Sequence, residues 1–235
     1  MGFLNKLFGT GEEAPQQPQQ TPAPAPQEPA QVAEVPQAGR QLNLTKGQTL
    51  NLQKNDTLNL TKSEYSLSRL RAAAGWDVND SLFGSNYDLD LCAYLQDANG
   101  VVKQTVFFGS KGNLNKFGVQ LDHDNLTGDG EGDDENIFLN LDAVPADIAK
   151  ITIAVVIYQA KSRRQHFGKV KNAYIRLLDE SDNDREMFRF NLSNNGEGKH
   201  SVIAADIYRD ASGWNFFARE EYSDAGAISE LERKL

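Results

Sequence analysis

The stretch Tyr87-Asp-Leu-Asp-Leu-Cys-Ala-Tyr-Leu95 decides the fold. Successive side chains of an extended chain point to opposite faces, so Leu89, Leu91, Ala93 and Leu95 share one side of a strand and Asp88, Asp90, Cys92 and Tyr94 the other. The leucine side supplies a core. Working outward, similar apolar segments predict strands over residues 66–73, 101–108, 136–141, 150–158, 173–178, 187–192, 200–208 and 214–221. Turn signals punctuate them at Asp97-Ala-Asn-Gly100, Ser181-Asp-Asn-Asp184, Asn194-Asn-Gly196 and Asp210-Ala-Ser-Gly213. Upstream, Leu42-Asn-Leu-Thr-Lys46, Leu50-Asn-Leu-Gln-Lys54 and Leu58-Asn-Leu-Thr-Lys62 repeat one alternating unit, which predicts a three-strand meander. Short helical insertions are expected at 142–149, 159–167 and 227–235. Many short strands at this spacing indicate an all-β sandwich or barrel.

The chain has 235 residues, 39% of them hydrophobic, enough for a substantial core. A net charge of -9 and a pI near 4.9 argue against nucleic-acid binding, which draws on clustered Lys and Arg, and favour small cations as partners. Cys92 is the single cysteine, so neither an internal disulfide nor a Cys-based zinc site forms, and a reducing cytoplasm is the expected location. No apolar run approaches the roughly 18 to 20 residues of a membrane span, and the opening Met-Gly-Phe-Leu-Asn-Lys-Leu-Phe-Gly9 lacks the long apolar region of a secretory signal.

Three regions follow. Residues 1–10 form a short amphipathic segment whose Phe3, Leu4, Leu7 and Phe8 share a helical face, suited to contact of residues 1–9 with a membrane or a partner groove. At two turns it is marginal as a free helix, and Lys6 stands where an N-myristoylation signal wants Ser or Thr. Residues 11–40, rich in Pro, Gln and Ala, read as a disordered tether with extended polyproline character. Residues 41–235 are the expected folded domain.

Chemistry concentrates in Asp122-His-Asp-Asn-Leu-Thr-Gly-Asp-Gly-Glu-Gly-Asp-Asp-Glu135, where acids alternate with glycines. Carboxylates this close raise one another's pKa and resist compaction unless a cation neutralises them. Calcium suits the set: it takes six to eight oxygens in flexible geometry, and carboxylates, amides, hydroxyls and carbonyls abound while soft ligands are missing. Asp88 and Asp90, stacked on one strand face, are expected to join the same ion or ion pair; the bland alternative is a solvated face paired to Lys or Arg. The loop is not an EF-hand, since a frame begun at Asn125 puts Asn136 at its twelfth position and Glu135 one residue early. His123, His166 and His200 lack metal-ligand spacing, Gly109-Ser-Lys-Gly112 lacks the full phosphate-loop pattern, and Lys161-Ser-Arg-Arg164 reads as solvated loop charge or an anion patch.

Taken in order, Leu44-Thr-Lys-Gly47, Gly75-Trp-Asp77, Tyr87-Asp-Leu-Asp90, Asn125-Leu-Thr-Gly-Asp-Gly-Glu-Gly-Asp-Asp-Glu135, Val144-Pro-Ala-Asp147 and Phe167-Gly-Lys-Val-Lys-Asn-Ala-Tyr-Ile-Arg176 resemble the TerD family of tellurite-resistance and general-stress proteins across residues 41–222. The resemblance implies a β-sandwich that binds two calcium ions, a link to a membrane-bound TerC-type complex, and no known catalytic activity. Carried over residue by residue, it makes Asp77, Asp88, Leu89, Asp90, Asn125, Thr127, Gly128, Asp129, Gly130, Gly132, Asp133, Asp134 and Glu135 calcium ligands or loop supports, with Trp76 beside them. It leaves open which of Asp122 and Asp124 coordinates, because the loop start departs from the family pattern. The amphipathic start and the tether also depart from the compact family domain. The expected function is a non-catalytic, calcium-regulated interaction module of the stress response, cytoplasmic or peripheral to the inner face of the membrane. The alternatives are a metal-dependent hydrolase using the same carboxylates to activate water, and a membrane-tethered adaptor.

Overall fold

The computed structural model describes residues 28–31, 39–43, 50, 52–61, 67–78, 86–110, 117–129, 132–192 and 196–235. The amphipathic segment 1–10, most of the tether and Gly130 lie outside the described residues. In chain order the strands are β1 (Gln41–Asn43), β2 (Thr57–Asn59), β3 (Arg69–Gly75), β4 (Leu89–Gln96), β5 (Val102–Val106), β6 (Val119–Leu121), β7 (Glu135–Asn140), β8 (Lys150–Ile157), β9 (Tyr174–Asp179), β10 (Arg185–Asn191), β11 (Ser201–Asp210) and β12 (Gly213–Ser223), with short helices α1 (Ala160–Arg163) and α2 (Ile228–Glu232). The helical insertions expected at 142–149, 159–167 and 227–235 take the form of a 3-10 turn at Leu141–Ala143, of α1 with a 3-10 turn at Phe167–Lys169 after it, and of α2.

Two sheets stack as a sandwich. One runs β1-β2-β12-β11-β8-β4-β5 and the other β10-β9-β3-β7-β6. Leu89, Leu91, Ala93 and Leu95 of β4 enter the main core between them, with Ile153 and Val155 of β8 on the same sheet and Ile137, Leu177 and Phe188 from the facing one. The opposite face of β4 is buried too: Cys92 and Tyr94 pack with Ala225 and Leu231 of the C-terminal tail, and the Tyr94 hydroxyl donates to the Ile228 carbonyl at 2.9 Å. A strand covered on both faces reads as a nearly continuous apolar run, which is what Lys150–Ile157 shows.

The predicted meander does not form. β1 and β2 pair in parallel, Leu42 opposite Leu58, and β2 then pairs antiparallel with β12. Parallel neighbours need the chain between them to return to the starting end, and the middle repeat lies in that return: Leu50 and Leu52 are buried but belong to no strand. β6, three residues long, is too short for a period-two signal to announce it.

Leu58 sits fully buried in β2. Leu58→Ala is expected to lower unfolding free energy by roughly 2–5 kcal/mol, read as a lower urea midpoint at unchanged m-value. A cost below half a kcal/mol would mean that the repeat region is not part of the cooperative core.

Candidate metal centre

Register brings three connections to one end of the sandwich. Ala74 of β3 lies opposite Glu135 of β7, Gly75 opposite Tyr174 of β9, Leu121 of β6 opposite Ile137, and Leu89 of β4 opposite Ile157 of β8. The β3–β4, β6–β7 and β8–β9 connections therefore meet, and they carry Asp77 and Asp88, the acidic loop, and the basic α1 segment respectively.

Where they meet, carboxylate oxygens of Asp88, Asp90 and Asp124 all lie within 4.8 Å of one another. Asp88 and Asp90 are only 5% and 4% exposed. Asp88 Oδ1 and Asp124 Oδ1 are buried without a hydrogen-bond partner among the described residues. Burial, together with mutual repulsion within the trio, pushes the Asp88 carboxyl up to about 6 and that of Asp90 up to about 8. The one cationic group that lowers both is Arg163, whose Nη1 stands 3.8 Å from Asp88 Oδ2 and whose guanidinium lies 5.1 Å from the centre of the Tyr158 ring. Buried, oxygen-only, mutually repelling and incompletely hydrogen-bonded, this donor set fits a hard cation.

Glu135 borders the pocket and joins the two sheets. β5 ends at Val106 opposite Ala93, so the Leu91 N–H beyond it meets no strand; it donates instead to Glu135 Oε2 at 2.7 Å, while the Asn125 N–H donates to Oε1 at 3.2 Å. Burial, followed by repulsion from Asp90 and Asp124, outweighs these two bonds and pushes Glu135 up to about 9.

Asn125 organises the loop. Its side-chain oxygen accepts from the N–H groups of Thr127 (3.1 Å) and Gly128 (3.0 Å), and its amide donates to Asp134 Oδ1 at 2.8 Å. Asp134 Oδ2 accepts from the Trp76 N–H at 2.8 Å, and the Trp76 indole donates to the Tyr87 carbonyl at 3.1 Å, so the loop is tied to the residue preceding Asp88. Gly128, at φ +74°, lies where a Cβ would strike the Trp76 ring.

The remaining expected site residues are placed elsewhere. Asp133 leaves the trio: its oxygens accept from Arg176 Nε and Nη2, both at 2.8 Å, from Arg71 Nη1 at 3.1 Å, and from the Tyr174 hydroxyl at 3.0 Å. Burial pushes its carboxyl up, but these partners outweigh it and the pKa ends below the ordinary 3.8. Asp77 Oδ2 accepts from the Asn172 amide at 2.6 Å, Thr127 donates to Asp129 at 2.9 Å, and Asp122, exposed, lies 3.1 Å from His123 Nδ1. The Gly132 carbonyl accepts from Tyr174, and Leu89 keeps its side chain in the core, leaving its carbonyl as its one polar offering to a site. Of Asp133, Asp134 and Glu135, the structure brings Glu135 alone beside Asp90, because arginines on β3 and β9 capture Asp133 while the Asn125 side-chain amide and the Trp76 N–H engage Asp134. Sequence reading left Asp122 and Asp124 open; Asp124 is the one beside the strand pair. Arg163 belongs to the expected anion patch 161–164 and stands at Asp88, while the pairing of Arg71 and Arg176 with Asp133, remote in sequence, leaves no local signal.

The TerD domain family matches this chain over residues 48–234. Stress response protein SCP2 of Bacillus subtilis (strain 168) is 40% identical over 209 residues, spanning 82% of this chain and 94% of that protein. Tellurium resistance protein TerD of Serratia marcescens is 37% identical over 155 residues, 65% of this chain and 80% of that one. Among solved structures, a homologue of the telluride resistance protein from Streptomyces coelicolor A3(2) superposes with a TM-score of 0.60 over 70% of this chain and 95% of its own, and its 22% identity speaks to the fold alone.

Two outcomes are expected of the cation-free protein. The unfolded chain releases the Asp88, Asp90 and Glu135 protons near the ordinary 3.8 and 4.5, the folded chain only near 6, 8 and 9. Between those limits the folded state binds more protons, so stability measured by urea unfolding in chelator should fall as pH rises from about 4 to about 9; a rise across that whole window would contradict the burial of these acids. Asp133→Ala removes the carboxylate shared by Arg71 and Arg176, which keep Asn136, Asp184 and Glu186 as partners and are partly solvated, and should cost roughly 1–3 kcal/mol, less than breaking a fully buried pair.

Proposed function

This chain belongs to the TerD domain family of tellurium-resistance and general-stress proteins, and from that premise we propose that it is a calcium-binding, non-catalytic interaction module of the stress response. The observation that carries the reading is the Asp88, Asp90 and Asp124 trio, with its orphaned buried oxygens Asp88 Oδ1 and Asp124 Oδ1. Two buried carboxylates and a half-buried third, with one guanidinium 3.8 Å away, carry a desolvation cost that ligation of a cation would offset. Asp88, Asp90 and Asp124 would hold the ion, with Glu135 at its border. With Asp133 held by arginines, Asp77, Asp122, Asp129 and Asp134 are the remaining carboxylates of the expected set and the candidates for a second ion. When bound, the cation supplies the positive charge that lets the trio ionise together.

The protein's own residues set the response. Asn125 and Glu135 couple the loop to both sheets, so neutralising the trio orders one end of the sandwich as a surface. That surface is the proposed contact for a protein partner, a membrane-bound TerC-type complex being the one that the family resemblance implies. Arg163 is the built-in competitor for the acids, since its guanidinium already faces Asp88.

A saturating ligand at about 100 times its Kd stabilises by about 2.7 kcal/mol, which for a domain of this size raises Tm by roughly 5–10 °C. Calorimetric calcium titration with a parallel thermal melt should show this for the wild type and not for Asp90→Asn. Asp133→Ala should keep the shift from a lower starting Tm. Arg163→Ala should bind calcium about two- to fivefold more tightly. A titration without heat and without a shift sinks the proposal, and phosphoester turnover that disappears in Asp90→Asn would replace it with the hydrolase reading.

A further inference from the structure

At the end of the sandwich away from the acids lies a second site of different chemistry. β11 and β8 pair from Ser201 opposite Val156, beside the acidic end, to Tyr208 opposite Lys150. Seven residues at about 3.3 Å each separate the two ends by roughly 23 Å. There, a groove of about 480 Å³ opens between the β11–β12 turn and the loop after β7, with Trp214, Val144, Ala146 and Arg209 among its walls.

The groove is preformed. Arg209 is 8% exposed, donates through Nη2 to the Val144 carbonyl at 2.8 Å, and stacks its guanidinium 4.3 Å from the centre of the Trp214 ring. The Trp214 N–H donates to Thr61 Oγ1 at 2.8 Å and its carbonyl accepts from the Leu60 N–H at 2.9 Å, so both its backbone and its ring are held. Pro29 and Gln31 of the tether stand at this groove, and between them the Ala30 N–H donates to the Ala146 carbonyl at 2.5 Å. Proline-containing chain lacks internal hydrogen bonds, so its N–H groups are free to reach outward, and an aromatic face is the usual wall for such a ligand. The same vocabulary continues through Pro22-Ala-Pro-Ala-Pro26, so the ligand chemistry extends beyond the seated residues.

We propose that the Trp214 groove is a docking surface for an extended, proline-containing peptide, and that residues 28–31 of this chain, seated along its wall, dock there in cis. The strap fixes the tether to the end of the sandwich opposite the acidic trio. The stretch from residue 10 to residue 28, which spans about 55 Å as polyproline II, then carries the amphipathic start from that end. One backbone hydrogen bond makes the strap readily displaced, so a proline-rich peptide in trans competes for the groove.

Amide exchange on the full-length, isotope-labelled protein tests this. The Ala30 amide should exchange at least about threefold more slowly than in a free peptide of residues 24–31, the protection one net hydrogen bond provides. Trp214→Ala should abolish that protection. Ala30→Pro, which removes the donor, should move the Trp214 indole resonance and leave that of Trp76, bonded to the Tyr87 carbonyl, where it was. The free peptide in excess should then restore the Trp214 position in the Ala30→Pro protein. Ala30 exchange at the free-peptide rate, protection that survives Trp214→Ala, or an indole resonance indifferent to Ala30→Pro would overturn the proposal. Protection that fades on dilution would overturn the cis assignment in favour of a second copy.

Discussion

One carboxylate sits where the two sheets and the acidic loop meet. Glu135 begins β7, yet its oxygens serve the Leu91 N–H of the facing sheet and the Asn125 N–H of the loop. A buried N–H left unpaired beyond the end of β5 would cost about 1–3 kcal/mol, and Glu135 removes that cost at Leu91. In doing so it is brought beside Asp90 and Asp124, whose repulsion adds to burial in raising the Glu135 pKa. The bond that closes this end of the sandwich therefore also creates the electrostatic tension there.

The structure handles its acids in two ways. Asp133 is given two guanidinium groups and a phenol and settles as an anion. Asp88 and Asp90, gathered with Asp124, face one guanidinium, that of Arg163 at 3.8 Å from Asp88, and burial makes both hold their protons to higher pH. Acids at the same end of the sandwich thus differ because the side chains facing them differ: arginines on β3 and β9 for Asp133, chiefly other acids for Asp88, Asp90 and Asp124. A cation at the trio would do for those oxygens what Arg71 and Arg176 do for Asp133.

Separation of the two ends gives the chain a plain division of labour. Acids and the basic α1 segment lie where β3, β6 and β8 finish; aromatic and apolar walls lie where β11 turns into β12. Paired strands, rather than loops, set the distance between them.

Alternation in Tyr87-Asp-Leu-Asp-Leu-Cys-Ala-Tyr-Leu95 and in the later segments was enough to identify an all-β chain and the inward face of β4, and family motifs resolved the sandwich; both sheets and the matching relatives bear this out. Periodicity of two residues is local, so a sequence displays it. The acidic loop was equally visible, because charge density is a property of composition. Partner choice is not local: nothing near Asp133 announces Arg176, nothing near Asp88 announces Arg163, and the leucine repeat does not reveal that β1 and β2 run parallel. Those facts arise when chain segments tens of residues apart are brought within a few ångströms, where hydrogen bonding and Coulomb forces, which fall off with distance, first act. The sequence by itself determined which residues are apolar, which are acidic and how they alternate; the tertiary structure alone decided which acids meet each other and which meet arginine.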